Sequence, residues 1–136
     1  MSFSAMAKPP KKPKIKRAAP LLPKVTEAMR EFSALLGTEL QTWPQITTRP
    51  MFGFTAFYRG DRIFAALPKT RALVKGDAFM FKLLSPAASA RRQIESDPRI
   101  VPTDFTDSKW FAMQVLDERD LRDALRWLER AYQAAR

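Results

Sequence analysis

The chain has 136 residues, 46% of them hydrophobic and 28% charged, with no cysteine, no histidine and a net charge of +10. That length suits one domain with a real core and is short for two. Without thiols or imidazoles there is no disulfide, no thiolate nucleophile or metal site, and none of the usual general bases of serine and cysteine hydrolases. No apolar run approaches the roughly 20 residues of a membrane span, and the start lacks a signal-peptide pattern, so a cytoplasmic location is expected.

The charge is unevenly placed. Seven cations, Lys8, Lys11, Lys12, Lys14, Lys16, Arg17 and Lys24, precede Val25 with no acid among them, leaving +3 of the net +10 for Val25 to Arg136. Pro9, Pro10, Pro13, Pro20 and Pro23 oppose a regular helix, and the lysines repel one another. Residues 1–23 therefore read as a disordered basic tail, and residues 24–136 as the folded domain. The tail is either an electrostatic arm for nucleic acid or a solubilising extension. It has no aromatic residue between Lys8 and Lys24, so base stacking is not available to it.

Val25, Met29, Phe32, Leu35, Leu36 and Leu40 recur at helical steps, with Thr26 and Glu27 suited to the start and Gly37 able to end or loosen the helix. Pro44 stops it. Next comes "RPMFGFTAFYRGDRIFAAL", Arg49 to Leu67, which alternates and turns at Gly60-Asp61. This turn predicts pairing of Tyr58 with Ile63, Ala56 with Ala65 and Phe54 with Leu67 on one face, with Phe57 and Phe64 on the other. Arg59 and Arg62 then stand opposite each other. Arg59-Gly60-Asp61 matches an adhesion tripeptide but reads as ordinary hairpin chemistry.

A third strand is expected over Thr70 to Val74 or Ala78 to Leu84, with Gly76-Asp77 as a bulge or turn. A short helix follows in "PAASARRQIES" and stops at Pro98; Glu95 offsets Arg91 and Arg92 there. "RIVPTDF" is an edge strand or loop, and "KWFAMQV" is the last strand. Asp117 suits an N-cap for a final helix with the stripe Leu121, Ala124, Leu125, Leu128, Ala131 and Tyr132. The expected fold is α+β, with helices packed on a mainly antiparallel sheet in the order α-β-β-β-α-β-β-α.

Met51-Phe52-Gly53, Gly60 and Phe64-Ala65 resemble the motif of the TfoX (Sxy) competence-regulator N-terminal domain: Met-Phe-Gly entering a strand, a turn glycine, then Phe-Ala. That family has a second glycine where this chain has Phe54. Over the C-terminal part, Trp110, Leu121, Trp127, Ala131 and Tyr132 are similar to the YjbR (MmcQ) family. The resemblance implies a secretion-chaperone-like α+β domain without catalytic residues, metal or cofactor. It also implies a regulatory or adaptor role through protein contacts, with a homodimer among the expected assemblies. The alternative is a nucleic-acid-associated protein whose phosphate contacts come from the tail and from Arg49, Arg59, Arg62 and Arg71. A solvated sheet rim is the simpler account of those arginines.

Met51-Phe52-Gly53 is expected to be core packing with a tight backbone approach rather than a binding surface. Trp43, Trp110 and Trp127 read as core anchors. Asp61, Asp77, Asp97, Asp104 and Asp107 fall at expected turns and loops, with spacing that suggests neither a metal site nor an acid–base pair.

Overall fold

The computed structural model describes residues 24–71, 77–101, 103 and 109–136. The tail residues 1–23, the Thr70–Val74 alternative beyond Arg71, Gly76, Asp104 and Asp107 lie outside the described residues. The elements in order are α1 (Glu27–Leu40), β1 (Ile46–Met51), β2 (Phe54–Arg59), β3 (Arg62–Pro68), β4 (Ala78–Lys82), α2 (Ala88–Ser96), β5 (Ile100–Val101), β6 (Trp110–Gln114) and α3 (Arg119–Ala134). The class and the succession of helices and strand groups are as expected, and β1 adds a strand ahead of the hairpin. The strands form one antiparallel sheet in the order β1-β2-β3-β4-β6-β5.

The Thr26 hydroxyl accepts from the Met29 N–H at 3.1 Å and so caps α1. Met29, Ser33, Leu36 and Leu40 follow at four-three-four spacing and are its buried face. Leu35, expected in that stripe, is 57% exposed because it lies a quarter-turn off this line. Gly37 does not end the helix. It sits inside α1 and faces the Phe57 ring.

The helices cover one face of the sheet. There Met29, Leu36 and Leu40 of α1 and Ala124, Trp127, Leu128, Ala131 and Tyr132 of α3 pack on Phe57, Phe64, Phe79, Phe81 and Met113. Trp43 stacks with Phe64 at 6.5 Å and meets Tyr132 edge-on at 5.1 Å, which makes it a half-buried anchor. The opposite face carries a second cluster made, among the described residues, from strand side chains alone: Phe54, Ala56, Ala66, Ala78, Met80 and Ala112.

The β2–β3 pairing begins as expected, with Arg59 opposite Arg62 and Tyr58 opposite Ile63. The register then shifts between Phe57 and Tyr58, so that Phe57 pairs with Ala65, Ala56 with Ala66, and Thr55 with Leu67. The expected pairs Ala56–Ala65 and Phe54–Leu67 are therefore corrected. Phe64 is the extra residue of a β-bulge, and one extra residue moves everything after it to the other face. Ala65 and Leu67 accordingly join Phe64 beneath the helices.

Arg99 ties β5 to α3. Its guanidinium contacts Asp97 at 2.8 Å, Asp120 at 2.8 Å and Asp123 at 3.0 Å. Asp120 also accepts from the Leu116 N–H at 2.9 Å and so fastens the start of α3. Asp117 does not cap as expected, since the capping position is Glu118; its carboxylate still takes the Arg119 N–H at 2.9 Å.

Candidate nucleic-acid interface

The two ends of the β2 strand differ in chemistry. At the Gly60 end, Arg59 lies 4.2 Å over the Tyr132 ring and donates to the Tyr132 carbonyl at 3.0 Å. That side chain is engaged in joining α3 to the sheet. Arg62 stands exposed beside it. Arg71 lies at the other end, about 17 Å away along a strand of this length, and Arg49 stands mid-β1 opposite Ala56. The four arginines thus do not form a single face: Arg59 and Arg62 flank the Gly60 turn, and of the four Arg71 alone is at the far end.

That second end is the β1–β2 turn, built from Phe52 and Gly53. Both have positive φ, 49° and 95°, as a type I′ hairpin turn requires. The Gly53 carbonyl accepts from three successive N–H groups, those of Lys69, Thr70 and Arg71, at 3.0, 2.7 and 2.9 Å. This carbonyl pins the chain leaving β3 against the turn. A side chain at position 53 would place its Cβ 2.7 Å from the Arg71 Cβ, so only glycine fits. The tight backbone approach expected for Gly53 is what the structure has.

Phe52 differs from that expectation. It is 79% exposed and contributes nothing to either core cluster. The reason is the turn: a first central residue at positive φ points away from the strands it joins. Met51, one residue earlier, is half-buried at the edge of the second cluster. Phe64 and Ala65 are fully buried, and Gly60 sits in the other turn at φ 62°.

The same end gathers cations. Lys24 forms a β-bridge with Arg71, and the Val25 N–H donates to the Thr70 carbonyl at 3.2 Å. Residues 1–23, carrying Lys8, Lys11, Lys12, Lys14, Lys16 and Arg17, join the described chain at this bridge. Arg49 is not part of this group: its guanidinium lies 5.5 Å over the Tyr58 ring, toward the Gly60 end and on the face opposite the helices. Lys69 is exposed and borders a groove of about 560 Å³ between α1 and the β2–β3 pair. Glu27 and Glu31 line the α1 side of that groove. Asp77, the other nearby acid, accepts from the Thr26 hydroxyl at 2.8 Å.

Sequence reasoning did not place Lys24 or Lys69 in this site. They reach it through the Gly53 carbonyl and the Lys24–Arg71 bridge, contacts between distant positions that leave no local pattern. Phe52 had no such signal either: two-residue turns are read from pairs such as Asn-Gly or Asp-Gly, and Phe-Gly is not among them. Among the described residues no group of three or more acidic side chains is arranged to hold a metal ion. No described helix is long and apolar enough to cross a membrane. The chain matches no protein-family model, no curated protein and no solved structure.

Proposed function

We propose that this chain is a cytoplasmic, non-enzymatic nucleic-acid-associated module that holds phosphates at the β1–β2 end of its sheet. Lys24, Lys69 and Arg71 supply the folded contacts. The cations of residues 1–23 supply the rest. One observation carries this reading: the root of the acid-free basic segment is paired with Arg71 beside the turn where Lys69 already stands. Clustered cations release counterions from a phosphate backbone on binding, which gives affinity without reading sequence.

The test is fluorescence anisotropy of a labelled DNA duplex with the full chain from about 50 to 200 mM salt. Six to ten phosphate contacts make the affinity fall by roughly 10³ to 10⁵ over that range. Lys24→Gln with Lys69→Gln should flatten the log–log salt slope by about 2, since each contact adds about 0.9. Neutralising the six tail cations should flatten it further. No binding by the unaltered chain at the lower salt refutes the reading.

A second reading keeps the regulatory role in competence or transcription that the TfoX resemblance suggests, but places it in protein contacts. It is favoured by β1, which among the described residues is a six-residue edge strand with exposed side chains from Thr47 to Pro50, the kind of edge that pairs with another chain. A second copy pairing there would make the expected homodimer. Light scattering across a concentration series decides it, because a strict monomer ends the self-association version.

A further inference from the structure

We infer that the Phe52 ring is a stacking platform for an unpaired base, so that the β1–β2 end binds single-stranded nucleic acid in preference to duplex. This inference rests on the phosphate-binding reading above and adds the strand form it selects.

The argument starts from backbone cost. The first central position of a type I′ turn favours asparagine, aspartate or glycine, because positive φ crowds a Cβ. A bulky aromatic there is conformationally disfavoured, and when its ring is also 79% exposed, packing offers no compensation. Unfavourable local geometry held by rigid surroundings is a mark of functional positions. The surroundings here are rigid. Met51 pairs with Phe54 across the turn, and the Gly53 carbonyl is bonded to three N–H groups.

The chemistry around the ring selects the ligand. Among the described residues the other large exposed apolar side chains, Leu35, Leu84 and Leu116, belong to α1 and to the segments after β4 and β6. Among those residues Phe52 is thus not the centre of an apolar field, which a protein hot spot would need around it. Its end of the sheet carries Lys24, Lys69 and Arg71 instead. A lone ring among cations fits a strand whose phosphates meet the charges while one base lies on the ring. In a duplex the bases are already stacked on each other, so the ring gains nothing from them without unstacking a step. The arm has no aromatic residue between Lys8 and Lys24, and the turn provides one.

The full chain is titrated against labelled oligo-dT and oligo-U of about 20 nucleotides and against a duplex of the same length. Phe52→Gly is the main variant, since glycine suits the turn and the fold is kept. One lost base–ring contact weakens single-strand binding by about 5- to 150-fold, while duplex binding changes by less than about twofold. The salt slope stays the same, because a ring releases no counterions. Phe52→Trp restores single-strand affinity. Loss on oligo-dT alone or oligo-U alone assigns the strand to DNA or RNA. Unchanged single-strand affinity in Phe52→Gly, or equal loss on single strand and duplex, overturns the stacking role and leaves phosphate binding standing. Absence of binding to all three by the unaltered chain overturns both.

Discussion

Replacing Gly53 with alanine tests the construction of the proposed interface without touching its charges. The residue has φ 95°, and an added Cβ would lie 2.7 Å from both Cβ and Cγ of Arg71 and 2.8 Å from the Thr70 hydroxyl oxygen. Positive φ costs an L-residue about 1–2 kcal/mol. Relieving the contacts means moving the 69–71 segment away from the Gly53 carbonyl, which receives its three N–H groups. If two of those bonds are lost at roughly 1 kcal/mol each, the total is about 3–4 kcal/mol. That is a large share of the roughly 5–15 kcal/mol typical of a domain. Gly60→Ala is the internal comparison: its φ is 62°, but nothing lies within 4 Å of the added Cβ. It should lose only the backbone part, about 1–2 kcal/mol. Urea unfolding followed by tryptophan fluorescence measures both. Equal losses for the two variants would show that the contact with Arg71 and Thr70 contributes nothing, and the account of Gly53 as the anchor of this end would be wrong.

Gly37→Ala should stabilise the protein by up to about 1 kcal/mol, because the position is inside α1 and the new methyl would meet the Phe57 ring at an ordinary 3.5 Å; a lowered urea midpoint would contradict that packing. Arg99→Met should cost about 2–3 kcal/mol at neutral pH by leaving Asp97, Asp120 and Asp123 without their shared cation. The Arg99 hydrogen bond holds the Asp97 carboxyl below its ordinary pKa. For Asp120 burial pulls upward, but the N–H groups of Leu116 and Asp117 and the Arg99 guanidinium outweigh it and lower the pKa. Depressed carboxyls add stability above their unfolded values near 4, and this is lost as pH falls through the folded values. Urea midpoints of the unaltered protein should therefore decline below about pH 4, and those of Arg99→Met should decline less; parallel profiles would count against the ion cluster.

The sequence by itself determined what depends on neighbours a few positions apart. The Thr26 cap, the α1 and α3 stripes, the Gly60 turn, the stop at Pro98 and the α+β class all follow from spacing and turn chemistry within one element. The basic character of residues 1–23 is likewise plain from composition. The tertiary structure alone decided what depends on residues meeting across the chain. The bulge at Phe64 transfers Ala65 and Leu67 to the helix face, and alternation cannot reveal it because Ala65 and Ala66 suit either side. Arg99 finds its aspartates on α3 only after the sheet and helix have packed. The expected arginine group is divided along the strands: Arg59 and Arg62 flank the Gly60 turn, Arg49 is opposite Ala56 in mid-strand, and Arg71 is a strand length away beside Gly53. Lys24 bridges to Arg71, and the Arg71 N–H meets the Gly53 carbonyl, so Lys24 and the Phe52–Gly53 turn share one end of the sheet. Burial summed over the whole core sets such juxtapositions, and no short window of sequence contains that sum.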